Sequence, residues 1–569
     1  MKHFTVTFWP EKIKVSVHAG ATILESAHLA QVILNSPCGG KGLCRKCIVR
    51  LEPEGREVLA CQHRVERDLT VTVPAESRLS SGQILTEGPA RRLEVVCDVF
   101  RDYVELSPSG RVLGLAIDVG TTTVVAKLLD MRTGQVLAAD AEYNPQARYG
   151  YDVISRISHA STDQGLRDLQ TLIIECINEL IGRLCSRAAV NTAEIFEACV
   201  VGNTTMNHLL LGLSVKQLGV APYEPLLLDA RNVSPARLGL DINPAGNVHT
   251  VANIAGFVGA DTTAVALATG IDLAEDVCLA VDIGTNGEVI LVSRDGIYAA
   301  SCAAGPALEG ARITCGSRAV NGAIQAVLAN EQDIDIDVIG GGPARSICGS
   351  GLIDAVAVLL ELGVIEPTGR FNNPDEMKDD LPQAIRARLT KHNDQPAFRL
   401  SPPQPGPGDG VILTQQDIRE LQLAKGAIAA GIALLLQKLN LRPQEIGRIF
   451  LAGAFGNYIR CENAVRIGLL PGVAPDRIQF VGNAAATGAE MVLLSTKCRR
   501  KAAELARKIR YLEVAREGAF ASVFADSMML QPVGADHAGG RPAQRTCKKS
   551  RKKNSGLDRP AATWDNCKS

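Results

Sequence analysis

The sequence predicts a multidomain α/β protein, a small strand-rich head followed by a larger, duplicated α/β unit. Three observations predict it. Near the N-terminus, alternating apolar and polar residues frame a Gly-rich loop that holds three of four closely spaced cysteines. Farther on, an apolar run ending in Asp-x-Gly-Thr recurs about 164 positions later, the mark of an internal repeat. Between these features, residues 79–112 are punctuated by Ser, Gly, Pro and paired Arg, which marks a linker.

The head comes first. Residues 4–8 (FTVTF) and 12–17 (KIKVSV) alternate as a half-buried hairpin does, and residues 22–30 carry Ile23, Leu24, Ala27 and Leu29 at helical spacing. Residues 48–51 and 69–73 supply further strands. The cysteines Cys38, Cys44, Cys47 and Cys61 are spaced C-x5-C-x2-C-x13-C, close to the plant-type [2Fe-2S] pattern. Two sulfide-bridged irons need four thiolates, and the glycines at positions 39, 40 and 42 let the backbone approach the cluster sulfurs. A Zn(Cys)4 site is the alternative, but its ligands usually fall in two separated knuckles rather than one three-cysteine loop. Residues 1–78 therefore read as a β-grasp [2Fe-2S] ferredoxin-type domain with these four cysteines as metal ligands, and the linker 79–112 would let it swing.

Length and charge bound the remainder. The chain has 569 residues and a formal net charge of −1, so nothing in its overall charge draws it to nucleic acid or an acidic membrane. The N-terminus lacks a basic-then-apolar signal pattern, and the strongest apolar run, residues 427–436, is too short to span a bilayer. A cytoplasmic protein is expected. Of sixteen cysteines, those outside the head are scattered singly in apolar segments such as those around Cys176, Cys199 and Cys278, as buried thiols in a reducing compartment would be.

Residues 113–129 read as a strand, a tip containing Asp118, Gly120, Thr121 and Thr122, and a returning strand. Residues 278–292 repeat the pattern with Asp282, Gly284, Thr285 and Asn286. Such tips bring backbone N–H groups and hydroxyls to phosphate oxygens, while Asp118 and Asp282 hold Mg2+ through its waters or orient an attacking water. The alternative, two aspartates that merely cap tight turns, is weaker for a pair than for one hairpin. Downstream, Gly453 and Gly456 follow one apolar strand, Gly482 and Asn483 follow another, and Gly349 and Gly351 open a helix. Side-chain-free backbone there would let adenosine lie against the chain. ATP and Mg2+ are the expected cofactors of two halves, 113–277 and 278–530, the second carrying a polar insertion at 371–410. A long helix is expected over 417–440. The loop 301–310 (SCAAGPALEG) is a candidate for nucleotide or partner contact, as are Asn203, Thr204 and Thr205, whereas His208 and Cys348 read as packing residues. The tail 531–569 holds nine Lys/Arg against three Asp/Glu and is expected to be disordered.

This order of parts resembles the ASKHA superfamily of acetate and sugar kinases, Hsp70 and actin. Over nearly the whole of residues 1–530 it resembles more closely the reductive activators of corrinoid proteins. The stretches that carry the resemblance are 116–123 (AIDVGTTT), 144–157 (NPQARYGYDVISRI), 201–210 (VGNTTMNHLL), 281–288 (VDIGTNGE), 303–315 (AAGPALEGARITC), 347–354 (ICGSGLID) and 450–457 (FLAGAFGN). The resemblance implies an ATP-dependent enzyme that passes an electron from its [2Fe-2S] cluster to a partner corrinoid protein, converting Co(II) to Co(I) for methyl transfer. An upstream low-potential electron donor would feed it, and a homodimer is left open. No Asp-x-His-x-x-Gly corrinoid signature occurs in the sequence, so the cobalt belongs to the partner. Only about 40 residues separate Val73 from Leu113, which leaves no room for the further middle domain the resemblance implies. The competing readings are an ATPase activator of another radical or redox enzyme, a kinase fused to a redox sensor, and a redox-gated nucleotide switch.

Overall fold

The structure, a computed structural model, describes residues 3–10, 12–30, 32, 34, 42, 47–74, 77, 95–107, 109–150, 152–310, 312–373, 376, 377, 379, 381–402, 410–453 and 459–532. In the head, β1 (His3–Trp9) and β2 (Ile13–His18) form the expected hairpin, followed by α1 (Ile23–Leu29), β3 (Ile48–Glu52), β4 (Arg56–Leu59) and β5 (Leu69–Thr72). The strand order is β2-β1-β5-β3-β4, with β1 and β5 parallel and the other pairs antiparallel. Alternation turns Val6, Phe8, Val49, Leu51 and Val71 inward, where Ile23, Leu24 and Ala27 of α1 complete the core. Thr22 and Glu25 start that helix by reciprocal bonds: Thr22 N–H donates to the Glu25 carboxylate at 2.6 Å, and Glu25 N–H donates to the Thr22 hydroxyl at 3.1 Å. A mixed five-stranded sheet gripping one helix is the β-grasp arrangement.

The first half of the larger unit contains β6 (Leu113–Val119), β7 (Thr123–Asp130), β8 (Val136–Tyr143), α2 (Val153–His159), α3 (Asp163–Ala188), β9 (Ile195–Gly202), α4 (Thr204–Leu210), β10 (Arg231–Val233), α5 (Pro235–Leu238), β11 (Asn247–Thr250) and α6 (Ala260–Thr269). The second half begins with β12 (Val277–Ile283), β13 (Gly287–Ser293), β14 (Gly296–Cys302), β15 (Ala323–Ala329), β16 (Ile334–Val338), β17 (Ser346–Ile347), α7 (Gly349–Glu361) and α8 (Gln383–Ala387). It continues through β18 (Leu389–His392), β19 (Gln395–Arg399), β20 (Ile412–Thr414), α9 (Gln415–Lys438), β21 (Ile446–Ala452), α10 (Cys461–Arg466), β22 (Ile478–Gly482), α11 (Ala484–Leu494), α12 (Thr496–Lys508), β23 (Ile509–Tyr511) and α13 (Phe520–Ser527).

The duplication is explicit in the sheets. One runs β10-β11-β9-β6-β7-β8 and the other β22-β21-β12-β13-β14-β23. Within them, β11-β9-β6-β7-β8 and β22-β21-β12-β13-β14 share order and direction: three antiparallel strands, then two that run parallel to the first. They differ only at their outer edges. Leu113, Leu115 and Ile117 face α3, while Leu279, Val281 and Ile283 belong to the core that includes α7 and α9. The opposite faces of both sheets share one core with α6 and α11. A Cβ on Gly488 of α11 would lie 2.3 Å from the Ala264 carbonyl of α6, so only glycine lets these two helices approach so closely.

Three expectations change. Part of the segment read as linker is anchored: Val99 and Tyr103 are buried, Asp98 N–H donates to the Leu494 carbonyl at 3.0 Å, and the Asp98 carboxylate accepts from Thr496 N–H at 2.8 Å. Residues 371–410, read as a polar insertion, include the three-stranded sheet β18-β19-β20 and bury Phe371, Phe398 and Leu400 in the second half's core. The long helix expected over 417–440 is α9, but the apolar run inside it, read as too short to span a bilayer, belongs to a helix long and apolar enough to cross a membrane, 78% of whose apolar window is buried inside the protein. The tail beyond residue 532 lies outside the described residues.

Candidate functional site

The two hairpin tips meet. Thr122 Oγ1 on the first lies 2.8 Å from Thr285 Oγ1 on the second. Around the first tip, every carbonyl is held. Asn144 Nδ2 donates to Gly120 O at 2.8 Å, Arg156 Nη2 to Thr121 O at 2.5 Å, and Asn144 N–H to Thr122 O at 2.9 Å. In a trans peptide, a carbonyl so fixed turns the next N–H the opposite way, which is how a loop presents amides to an anion. Asn203 caps α4 by accepting from Met206 N–H at 3.0 Å and donates to the Thr121 hydroxyl at 2.9 Å. Arg156 is fully buried and bonds only neutral acceptors among the described residues. A positive charge thus sits directly behind the tip. At the second tip, Gly284 N–H donates to Asn286 O at 3.2 Å and Thr285 Oγ1 donates to Glu309 at 2.5 Å.

Four half-buried carboxylates crowd the junction: Asp118, Asp261, Asp282 and Glu288. Asp282 and Glu288 stand directly opposite each other on β12 and β13, a cross-strand pairing of like charges that costs stability unless a cation lies nearby. Burial pushes Asp118 up to about 7, with repulsion from Asp261 and Asp282 adding to it against the Asn483 hydrogen bond and Lys127. Burial, then Asp261, pushes Asp282 up to about 7 as well. Burial raises Asp261 against its own hydrogen bonds, and burial followed by repulsion from Asp261 and Asp282 raises Glu288. Among the described residues no group of three or more acid, imidazole or thiol side chains is arranged to hold a metal ion directly.

Gly453 and Gly482 close the other side. Gly453 N–H donates to Gly482 O at 3.1 Å, and a Cβ on Gly453 would come within 3.0 Å of the Asp282 carboxylate and 2.4 Å of Ile283 O. Asn483 caps α11 through Ala486 N–H and reaches Asp118 at 3.3 Å. Helix α11 is tied to the first hairpin again by a buried ion pair, Lys127 with Glu490, at 2.6 Å. Gly349 and Gly351, at the start of α7, are buried against the carbonyls of Leu308 and Ile324 respectively. Cys348 and His208 are buried packing residues, the His208 ring held between Thr204 O and Leu227 N–H. Gly456 lies outside the described residues. In the head, Cys47 and Cys61 are buried where β3 begins and β4 ends, with Ala60 N–H donating to Cys47 O at 2.9 Å. Two buried cysteines at the same end of one hairpin fit two ligands of a cluster; Cys38 and Cys44 lie outside the described residues.

Sequence reasoning missed Asn144, Arg156, Asn203's contact with Thr121, Asp261, Glu288 and Glu309. All but Asp261 lie within the stretches that carry the family resemblance.

Comparison with known proteins decides the family. Residues 276–538 match the C-terminal domain of RACo, the ASKHA domain, and residues 6–66 match the 2Fe-2S iron-sulfur cluster binding domain. Corrinoid activation enzyme RamQ of Eubacterium limosum is 34% identical over 87% of this chain and 95% of its own length. The chain belongs to the family of reductive activators of corrinoid proteins. A solved structure of a reductive activator for corrinoid, iron-sulfur protein superposes with a TM-score of 0.67 at 31% identity, covering 93% of this chain and 98% of that one. The [Co(II) methylated amine-specific corrinoid protein] reductase of Methanosarcina barkeri is 26% identical over 70% of this chain and 72% of its own length. The RACo middle region matches residues 113–274. The middle part expected to be missing from this activator is therefore present, and it coincides with the first half of the duplicated unit rather than preceding it.

Proposed function

We propose that this activator uses ATP to drive one electron from its iron–sulfur head to the cobalt of a separate corrinoid protein, returning Co(II) to Co(I). The observation that carries this reading is one chain of this family joining a cysteine-bearing ferredoxin fold to a two-hairpin junction crowded with carboxylates. Asp118, Asp261, Asp282 and Glu288 would hold Mg2+ through water, and the ion would neutralise phosphate charge. The tip residues Gly120, Thr121, Thr122, Gly284, Thr285 and Asn286 would take phosphate oxygens, with Arg156 adding positive potential from behind. Gly453, Gly456, Gly482 and Asn483 would lie along the nucleoside. Gly349 and Gly351 at the start of α7 would also serve the nucleotide, and Gly349 packs against the loop that carries Glu309.

Cys38, Cys44, Cys47 and Cys61 would ligate a [2Fe-2S] cluster, which supplies a one-electron carrier at about −400 mV. Passing that electron to Co(II) is uphill, so nucleotide must favour a complex in which reduction becomes easier. Shifting such an equilibrium from 1:99 to 99:1 takes about 5.5 kcal/mol of differential binding, well within what ATP turnover supplies. The chain carries no corrinoid signature of its own, so its partner brings the cobalt. Its setting would be cytoplasmic, with a low-potential donor refilling the head and neither membrane nor nucleic acid involved. Coupling between two sites is reciprocal at the level of binding. The Co(II) form of a co-encoded corrinoid protein should therefore raise ATP turnover measured under anaerobic conditions. Turnover indifferent to every such partner would favour a redox-gated nucleotide switch instead.

A further inference from the structure

Glu309 is a buried carboxylate that the reading above leaves without a task. It ends the single turn Pro306–Glu309, inside the loop that the sequence marks out after the second hairpin. Its Oε1 accepts from Thr285 Oγ1 at 2.5 Å, and Thr285 Oγ1 lies 2.8 Å from Thr122 Oγ1. A hydroxyl has one proton to give, so Thr285 donates to Glu309 and accepts from Thr122. A directed chain thus crosses the point where the two halves meet and ends on a carboxylate. Its other oxygen, Oε2, makes no hydrogen bond among the described residues. The loop is held in place: Gly305 N–H donates to Thr285 O at 3.0 Å, and Gly349 packs against the Leu308 carbonyl where a Cβ would come within 1.9 Å. Among the other four carboxylates, burial and then the charge of Asp261 raise the proton affinity of Asp118, Asp282 and Glu288. Glu309 bonds instead to the Thr285 hydroxyl of the second tip.

A phosphate entering between the tips must displace the Thr122–Thr285 bond, which leaves Glu309 beside it with Oε2 open. We propose that Glu309 is the general base for hydrolysis, oriented by Thr285; the inference rests on the junction being the ATP site. The water oxygen bonds to the γ-phosphorus as the bond from that phosphorus to the β,γ-bridging oxygen breaks. The water proton passes to Glu309 Oε2, ADP and inorganic phosphate leave, and Glu309 returns the proton to solvent.

The test uses the full-length protein with Mg2+ and compares wild type, Glu309→Gln and Glu309→Asp. Nucleotide affinity is read by equilibrium titration, and hydrolysis by single turnover of labelled ATP. Glu309→Gln should lose about 100-fold or more in the hydrolysis rate, the usual scale of a lost general base, while ATP affinity changes by less than about threefold. Glu309→Asp keeps the carboxylate one methylene back and should fall between the two. Hydrolysis by Glu309→Gln within about threefold of wild type overturns the proposal, as does a parallel loss of affinity, which would mean a binding or folding role. If Glu309→Gln does not fold, Glu309→Asp decides: slowed turnover at unchanged affinity supports the base, and a wild-type rate overturns it. Wild-type protein that neither binds nor hydrolyses ATP would overturn the ATP reading of the junction itself, a result distinct from a wild type that turns over together with Glu309→Gln.

Discussion

Asp282 shows how a residue's setting states its chemistry. It faces Glu288 across the hairpin, lies against Gly453, and shares the junction with Asp118 and Asp261. Asp282→Asn should lower ATP hydrolysis by orders of magnitude, read as phosphate release, while the visible spectrum of the iron–sulfur head stays as it was. Unchanged hydrolysis would reduce the second hairpin to an ordinary turn. A second prediction follows from protonation. Without a cation, Asp118 and Asp282 titrate near 7 against an ordinary value of 3.8. Between about pH 4 and 7 the folded protein therefore holds protons that the unfolded chain has released, and these two groups make stability fall as pH rises through that window. Above it, the charged carboxylates repel and a bound cation relieves them. Mg2+ should accordingly raise the thermal midpoint, relative to chelator, more at about pH 8 than at about pH 5.5. Equal effects at both values would remove the acids from the ion's surroundings.

Helix α11 links the site to the rest of the fold. Asn483 at its start bonds Asp118, Glu490 pairs with Lys127 in the interior, Gly488 admits α6, and the Leu494 carbonyl at its end receives Asp98 N–H from the segment leading out of the head. Lys127→Met should cost about 3–5 kcal/mol, since a buried carboxylate loses its cationic partner. Denaturant midpoints would measure it, and a loss below 1 kcal/mol would show that the pair is solvated in practice. Much at this scale was legible in the sequence. Alternating residues marked the head's hairpin, helical spacing marked α1, and the apolar runs ending in the repeated Asp-x-Gly-Thr marked both tip hairpins and the duplication. Long-range pairings were not legible. Asp261 reaches the junction only because α6 packs on α11, a contact no local pattern reports. Residues 95–107 read as linker because their composition is mixed, yet Val99 and Tyr103 point inward and Tyr103 bonds the buried Glu197. Asn144 and Arg156 sat in plain view within one motif, but their targets are backbone carbonyls, which leave no mark in a sequence.

At the scale of the whole molecule, cysteine spacing and hairpin repetition were enough to foresee a [2Fe-2S] ferredoxin-type domain joined to an ASKHA unit, because each motif is local in the chain. Protein isolated without oxygen should contain about two irons per chain and show a [2Fe-2S] spectrum, and Cys44→Ala should abolish it. One zinc per colourless chain would contradict the head's assignment. The central claim is coupling, and one experiment meets it directly. Pre-reduced activator is mixed anaerobically with the Co(II) form of its co-encoded corrinoid protein, and Co(I) is followed by its visible absorption with and without Mg2+ and ATP. The account predicts Co(I) with ATP and a slow or absent reaction without it; equal Co(I) formation in both would contradict it.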